Sequence, residues 1–377
     1  MAGLLSVSVL TSGITTYALA EKQSAKPGYA LNVTITDDAT DDNEVSAKIK
    51  VKDVSSSKAT LYWDAAGLFN NYRIYQYDFI LKKWMLYDSV RVSEIKLEKL
   101  SSGMFYKFKV AVPTADGLRE NVAGDVSFIT KPKTPSVSLE AYGATCVTLS
   151  LKSEKTPTSF KIYRKDGNGK FKLIDTVDGS KTQYEDTSLE PKTNYEYKIK
   201  SVVENSKKKS ESKYSKTVEV KTGKTMKLPK VSGACKTYAY YTAVTDKTSA
   251  AYAVLNSGTY KGVTYETYTD KETGIRMVDG CYCAALGTYY GTEKGTKYRI
   301  TLKSGETFKI ILCDTKSNRH TDKKHQYAKK NKDIVEFYVD KDKIPDEVNG
   351  NYNVLEQFNG PIASIEKITQ VENDTEE

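Results

Sequence analysis

LSSGMFYKFKV (Leu100–Val110) and LEPKTNYEYKI (Leu189–Ile199) are the stretches that decide the fold of this 377-residue chain. Each places a leucine six residues before a tyrosine (100 to 106, 189 to 195) and then alternates apolar and polar side chains. Period-two alternation puts every second side chain on one face, which marks a strand with one buried side. Outward from the first stretch lie Ala59-x-Leu61-x-Trp63, Tyr72-x-Ile74 with Tyr75, and Trp84-x-Leu86. After Lys131-Pro132-Lys133-Thr134-Pro135 the order repeats as Val147-x-Leu149-x-Leu151 and Phe160-x-Ile162-Tyr163. Short strands at even spacing, twice in tandem, predict two β-sandwiches over 45–132 and 133–223.

At these residues both copies resemble fibronectin type III domains. Trp63 stands at the family's buried core tryptophan, where the second copy has Leu151, and Tyr106 and Tyr195 resemble its tyrosine corner. The resemblance covers roughly 45–223 and implies a spacer or adhesive role. No Arg-Gly-Asp tripeptide is present.

The rest of the composition bounds the class. A formal net charge of +9 is spread over many lysines and forms no arginine-rich, aromatic-interleaved stripe. This argues against a nucleic-acid partner and fits attraction to an anionic polymer. Residues 1–20 are uncharged, carry the apolar run Leu4–Leu10 and end Ala18-Leu19-Ala20, as an export signal does. An acidic linker follows over 21–44, and no other stretch is long enough to span a bilayer. The expected location is secreted or attached to the cell surface, the expected state a monomer. Five cysteines, an odd and sparse set, imply no disulfide framework and read as buried thiols.

A basic linker, KTGKTMKLPK (Lys221–Lys230), opens a stretch read as connecting sequence over 224–245. Tyrosines then crowd together (Tyr238, Tyr240, Tyr241, Tyr252, Tyr260, Tyr265, Tyr268), as either a sugar-stacking surface or ordinary β-sheet tyrosine. From Met277 nearly everything reads as strand, with no evident amphipathic helix. Tyr282–Leu286 is short and apolar, and Gly287–Gly291 a glycine-bounded turn holding Tyr289 and Tyr290. Tyr298, Ile300 and Leu302 lead through Lys303-Ser304-Gly305-Glu306 into Phe308, Ile310, Leu312 and Asp314. Ile334–Asp340 is another apolar strand, with Glu336 inside it. The fold class expected is therefore all-β: two tandem sandwiches, then a small closed β-barrel over 246–368, then an acidic tail over 369–377.

Ala285-Leu286-Gly287-Thr288, the hairpin, Asp314 and the strand with Glu336 look like the double-psi β-barrels of cell-wall-active proteins: rare lipoprotein A, the expansins and the three-aspartate domain. The resemblance covers about 275–345. It implies that Asp314 is a catalytic acid, that Glu336 is the second acidic position, and that the partner is cell-wall polysaccharide or peptidoglycan. The family's Asp-Arg-Gly-Pro or Asp-Thr-Gly-Gly is here Asp314-Thr315-Lys316-Ser317, which leaves a non-catalytic binding module as the alternative.

The chemistry is sound on its own terms. Glycosidic cleavage needs a carboxylic acid to protonate the leaving oxygen, and a lytic transglycosylase manages with one. Standard glycosidases use two, for which Asp279 or Glu336 would be the second. The bland reading of Asp314 is a strand-end cap. Both histidines of the chain, His320 and His325, follow Asp314 closely. His320 is the candidate base or binding group; Asp322, His325, Tyr289 and Tyr290 are candidate substrate contacts. The same residues could be zinc ligands or a solvated loop, but H-x4-H matches no compact zinc motif, and neither metal nor cofactor is expected. A thiol nucleophile, Cys313 or Cys283 with His320 as base, lacks a supporting signature.

Overall fold

A computed structural model describes residues 47–64, 71–114 and 117–371. The export signal expected over 1–20, the linker over 21–44 and the end of the tail lie outside the described residues.

The first sandwich pairs a three-stranded sheet, β1 (Ile49–Lys52), β2 (Ala59–Trp63) and β5 (Glu94–Leu97), with a four-stranded one. The latter holds β3 (Tyr72–Asp78), β4 (Lys83–Val90), β6 (Phe105–Pro113) and β7 (Glu120–Ile129), in the order β4-β3-β6-β7. The second sandwich repeats the plan. Its sheets are β8 (Ser136–Tyr142), β9 (Val147–Lys152) and β12 (Gln183–Asp186), and β10 (Ser159–Asp166), β11 (Lys172–Asp178), β13 (Asn194–Glu204), β14 (Lys209–Glu211) and β15 (Val218–Lys221). The alternating residues fill both cores: Leu61, Trp63, Ile74 and Phe108 in one, Leu149, Leu151, Ile162 and Tyr197 in the other. The repeated leucine-to-tyrosine interval has a geometric cause. The Tyr106 hydroxyl accepts from the Ser101 N–H (2.8 Å), and the Tyr195 hydroxyl from the Glu190 N–H (2.9 Å). Each tyrosine thus ties the strand to the corner five residues before it, as a tyrosine corner requires.

The C-terminal domain is built around a curled mixed sheet. The domain's strands are β16 (Cys235–Tyr240), the short β17 (Thr259–Tyr260), β18 (Val263–Thr264) and β19 (Thr267–Thr269), then β20 (Arg276–Val278), β21 (Cys281–Leu286), β22 (Lys297–Leu302), β23 (Thr307–Thr315), β24 (Val335–Val339) and β25 (Ile362–Gln370). Two of the short strands, β17 and β18, lie beside the sheet and pair only with each other. Strand β23 lies between β22, antiparallel, and β21, parallel; β24 joins β21 antiparallel and β16 parallel. The β22–β23 turn closes with Gly305 at φ 97°, a conformation that disfavours other residues. Inside, the rings of Tyr282, Phe308, Phe337 and Phe358 sit 4.8–6.2 Å apart. The segment 224–234 runs against β25, where the Met226 N–H donates to the Ile365 carbonyl (2.8 Å).

Three expectations change. The stretch 224–245 is not merely a connector, because its residues 235–240 form β16, whose parallel partner lies almost a hundred residues later. The tail expected from 369 begins inside β25, since Thr369 and Gln370 pair with Tyr142 and Ala141 of β8. A helix is present: α1 (Ala250–Asn256), capped where the Ser249 hydroxyl accepts from the Tyr252 N–H (3.1 Å), buries Val254 and Leu255 against the outer face of the sheet.

The β8–β25 pairing also means that the second sandwich is no detached spacer. Across this junction Glu366, fully buried, accepts from the backbone of Ala144 and Thr145, from the Thr145 hydroxyl (2.7 Å), and from Arg299 (3.4 Å). Arg299 also donates to that hydroxyl (2.8 Å). A Cβ at Gly143 would stand 2.5 Å from Glu366 Oε2, so glycine there lets the loop close over the carboxylate. No helix among the described residues is long and apolar enough to cross a membrane.

Candidate functional site

The parallel strands β21 and β23 end together, and the loops leaving them meet. A β-bulge sets both Leu312 against Ala284 and Asp314 against Ala285. Asp314 stands at this strand end with its carboxylate partly exposed. It accepts from the Tyr338 hydroxyl (2.9 Å), and the Lys294 ammonium lies 3.5 Å away. Lys294 also lines a cleft of about 600 Å³ walled by Tyr265, Asp279, Glu293, Lys297 and Lys367. Asp314 therefore lies next to this cleft through Lys294, and the cleft mixes charged and hydroxyl groups with the apolar Val263, Val278 and Ile311.

Glu336 occupies the other flank of Ala285, so Asp314, Ala285 and Glu336 form one cross-strand row. It is not available as a second catalytic carboxylate. Only 3% exposed, it is paired with the buried Lys316 (2.7 Å) and with Lys236 (3.2 Å). Burial lowers the Lys316 ammonium to about 8, against the upward pull of Glu336. Lys316 also donates to the Asp333 carbonyl (3.1 Å).

Asp279 fails as the second acid for a different reason. It sits in the turn before β21, and the run from Cys281 to Ala285 spans about 13 Å of strand. Its exposed carboxylate pairs with Lys297 at the far end of the cleft.

The loop after β23 is organised by the residues expected to bind substrate. Asp322 accepts from the backbone N–H groups of Lys324 (2.9 Å), Gln326 (2.6 Å) and Tyr327 (3.1 Å). Burial acts to raise its pKa, but these bonds and His325 outweigh it and leave the carboxyl below its usual range. Asp322 is thus committed to shaping the loop. His325, at φ 56°, bonds through Nδ1 to the Thr321 hydroxyl (2.9 Å). His320 is exposed at the end of the short helical turn Asn318–His320. Among the described residues, no hydrogen bond or ion pair joins it to Asp314, and no group of His, Cys, Asp and Glu forms a metal-ligand cluster.

The adjacent tyrosines part company. Tyr289 is exposed, whereas Tyr290 is a core residue, 2% exposed, packed with Tyr298 and Ile300, and cannot contact a substrate. The thiols are buried. Desolvation raises Cys281, Cys283 and Cys313, and the Cys313 Sγ–H donates to the Ala284 carbonyl (3.3 Å), which removes the thiol nucleophile from consideration. Tyr338 and Lys294 escaped the sequence reading. Period-two spacing from Glu336 would have put Tyr338 on the Asp314 face; nothing local marks Lys294.

Gly287 joins the two loops. A Cβ there would collide with the His325 carbonyl oxygen, an atom of the backbone. Gly287→Ala is expected to push the 318–328 loop away and lower stability by about 1–3 kcal/mol. The chain has only two histidines, so proton NMR resolves the outcome: the His325 ring signal should move more than that of His320. An unmoved His325 signal would refute the contact.

No family model matches the chain. No curated protein matches it. Among solved structures, a two fibronectin type III domain segment from chicken tenascin is similar, with a TM-score of 0.34 and 20% identity, over 46% of this chain and 98% of that one.

Proposed function

We propose that this is a secreted or surface-attached modular protein whose C-terminal domain binds cell-wall glycan, polysaccharide or peptidoglycan. The observation that carries this is the cleft lined by Thr264, Tyr265, Glu293, Lys294, Thr296 and Lys367, beside which Asp314 is held through its ion pair with Lys294. Hydroxyl, ammonium and carboxylate groups around an open channel suit a polymer rich in hydroxyls and carboxylates. The parallel pairs β21–β23 and β16–β24, within a small curled sheet, support the likeness to double-psi barrels.

A second reading, cleavage by a single acid in the manner of a lytic transglycosylase, is favoured by Asp314 alone. Of the three carboxylates nominated, it is partly exposed and its ion pair, with Lys294 at 3.5 Å, is the longest, whereas Asp279 and Glu336 are held closely by lysines. His320 and Glu336 have no bond to it and are not assigned a step.

The test uses the full chain, because a fragment from 224 would uncover Arg299 and Glu366. Purified peptidoglycan is incubated with wild type and with Asp314→Asn, and both retention and products are read. Retention of the wild type is expected; a chain that stays in solution overturns the proposal. If the chain also cleaves, anhydro-sugar products should fall by about 10²–10⁴-fold in Asp314→Asn. Retention without products leaves binding standing and removes the catalytic reading.

A further inference from the structure

Lysines are scattered along the whole chain, yet one loop holds more than half of the net charge. Residues 319–332 carry six cations, Arg319, Lys323, Lys324, Lys329, Lys330 and Lys332, against one carboxylate, Asp322, a balance of +5 out of a formal +9. All six are exposed. Among the described residues none of them is in an ion pair, and the lysine pairs nearby, Lys294–Asp314 and Lys316–Glu336, lie outside the loop. On the sandwiches, by contrast, Lys50, Lys52, Lys58 and Lys161 each lie against a carboxylate. The oxygens of Asp322 are taken up by the N–H groups of Lys324, Gln326 and Tyr327.

The loop is built by its backbone. Thr321 and Ala328 bridge as antiparallel partners. The Asp322 N–H donates to the Tyr327 carbonyl (3.0 Å), the Ala328 N–H to the Asp333 carbonyl (3.0 Å), and the Lys332 N–H to the Ala328 carbonyl (2.9 Å). These bonds make two successive turns, the first carrying Lys323 and Lys324, the second Lys329, Lys330 and Lys332. The Lys329 ammonium donates to the Arg319 carbonyl (3.2 Å) and brings the helical turn at Asn318–His320 up to the second of them. An ordered loop thus gathers like charges against their mutual repulsion, and an anionic partner relieves it. None of the six lines the cleft beside Asp314. We propose that the 319–332 loop is a docking surface for a flexible polyanion, a chain of phosphodiester or carboxylate repeats, separate from the cleft.

Two other anionic partners fit less well. Single-stranded nucleic acid is held by aromatic side chains on which bases stack. The one aromatic residue of this loop, Tyr327, packs against the domain core, with the Lys332 ammonium 5.4 Å from its ring centre. A lipid surface is entered by exposed apolar side chains, and none of the large ones on this protein lies in the loop.

The experiment measures binding of the full chain to poly(glycerol phosphate), poly-L-glutamate, oligo(dT) and phosphatidylglycerol vesicles over a range of salt. Binding to one of the first two is expected, with log affinity falling linearly as log salt rises, and the tighter of the two identifies the repeat. The side chains of Lys323, Lys324 and Lys330 make no hydrogen bond or ion pair among the described residues, so their replacement leaves the loop's bonds in place. The triple variant Lys323→Gln, Lys324→Gln, Lys330→Gln should bind at least about tenfold more weakly and lose about half of the salt slope, since half of the cations are gone. Arginine at the same three positions keeps the charge and should keep the slope. Failure to bind either polymer, a glutamine variant that binds as wild type does, or tighter capture by oligo(dT) or by the vesicles overturns the proposal.

Discussion

A Glu366→Ala chain is expected to lose about 3–5 kcal/mol of stability in its second sandwich and C-terminal domain, while the first sandwich keeps its own. The carboxylate is fully buried and satisfies two backbone N–H groups, a hydroxyl and Arg299. Removing it leaves a buried guanidinium without its counter-charge and strands those donors. The two effects separate experimentally because both tryptophans, Trp63 and Trp84, belong to the first sandwich. In a urea titration, tryptophan fluorescence should hold its midpoint while far-ultraviolet circular dichroism gains an earlier transition. An unchanged dichroism curve would show that the junction bears no stability; a shift of both signals would show that the first sandwich is coupled to it.

The second large effect concerns the pair beneath the candidate site. Glu336→Ala leaves Lys316 buried without its close partner and is expected to destabilise the C-terminal domain by about 3–5 kcal/mol at neutral pH. Its pH dependence has a definite sign. In the unfolded chain Lys316 keeps its proton to about 10.5; in the folded one it releases it near 8. Between these values the unfolded state binds more protons, so this group makes stability rise with pH. Below about 8 both states are protonated, and its contribution is flat. Tyrosines exposed by unfolding ionise at about 10, whereas burial holds Tyr290, Tyr298 and Tyr352 higher in the folded chain, so the quantity to measure is wild type minus Lys316→Met. That difference should climb from pH 8 toward 10.5. A level difference would mean that Lys316 titrates as an exposed lysine does.

The two sandwiches were legible because their determinants are local. A tyrosine corner closes on a backbone group five residues away, and alternation such as Val147-x-Leu149-x-Leu151 is visible in a single strand. The C-terminal domain was legible only where it is local too, as in the Tyr298–Asp314 hairpin. Strand β16 hid in a lysine-rich stretch, since CKTYAY lacks regular alternation and gains its identity from a parallel partner far along the chain. Helix α1 is too short to show periodicity. Asp314 was found because its position follows an apolar strand; its partners Tyr338 and Lys294 come from other elements. Glu336 was misjudged because its meaning lies in Lys316 and Lys236, which spacing does not reveal. Asp279 looked near Asp314 because a sequence does not say at which end of β21 a turn will lie. Tyr289 and Tyr290 could not be told apart in a turn, where neither period applies.

The β8–β25 junction also sets how this protein would yield to tension. Strand β8 begins on the side from which the first sandwich enters, and β25 leaves toward that same side. A pull on the two chain ends therefore peels the strands apart rather than sliding one past the other. The rungs would open in turn: Val371 from Glu140, Gln370 from Ala141, then Thr369 from Tyr142. Few bonds carry the load at any moment, so this part gives way under a small force. The peel then arrives at Glu366, whose several bonds to Ala144, Thr145 and Arg299 must fail together. The junction would behave as a short, soft extension ending at a firm stop.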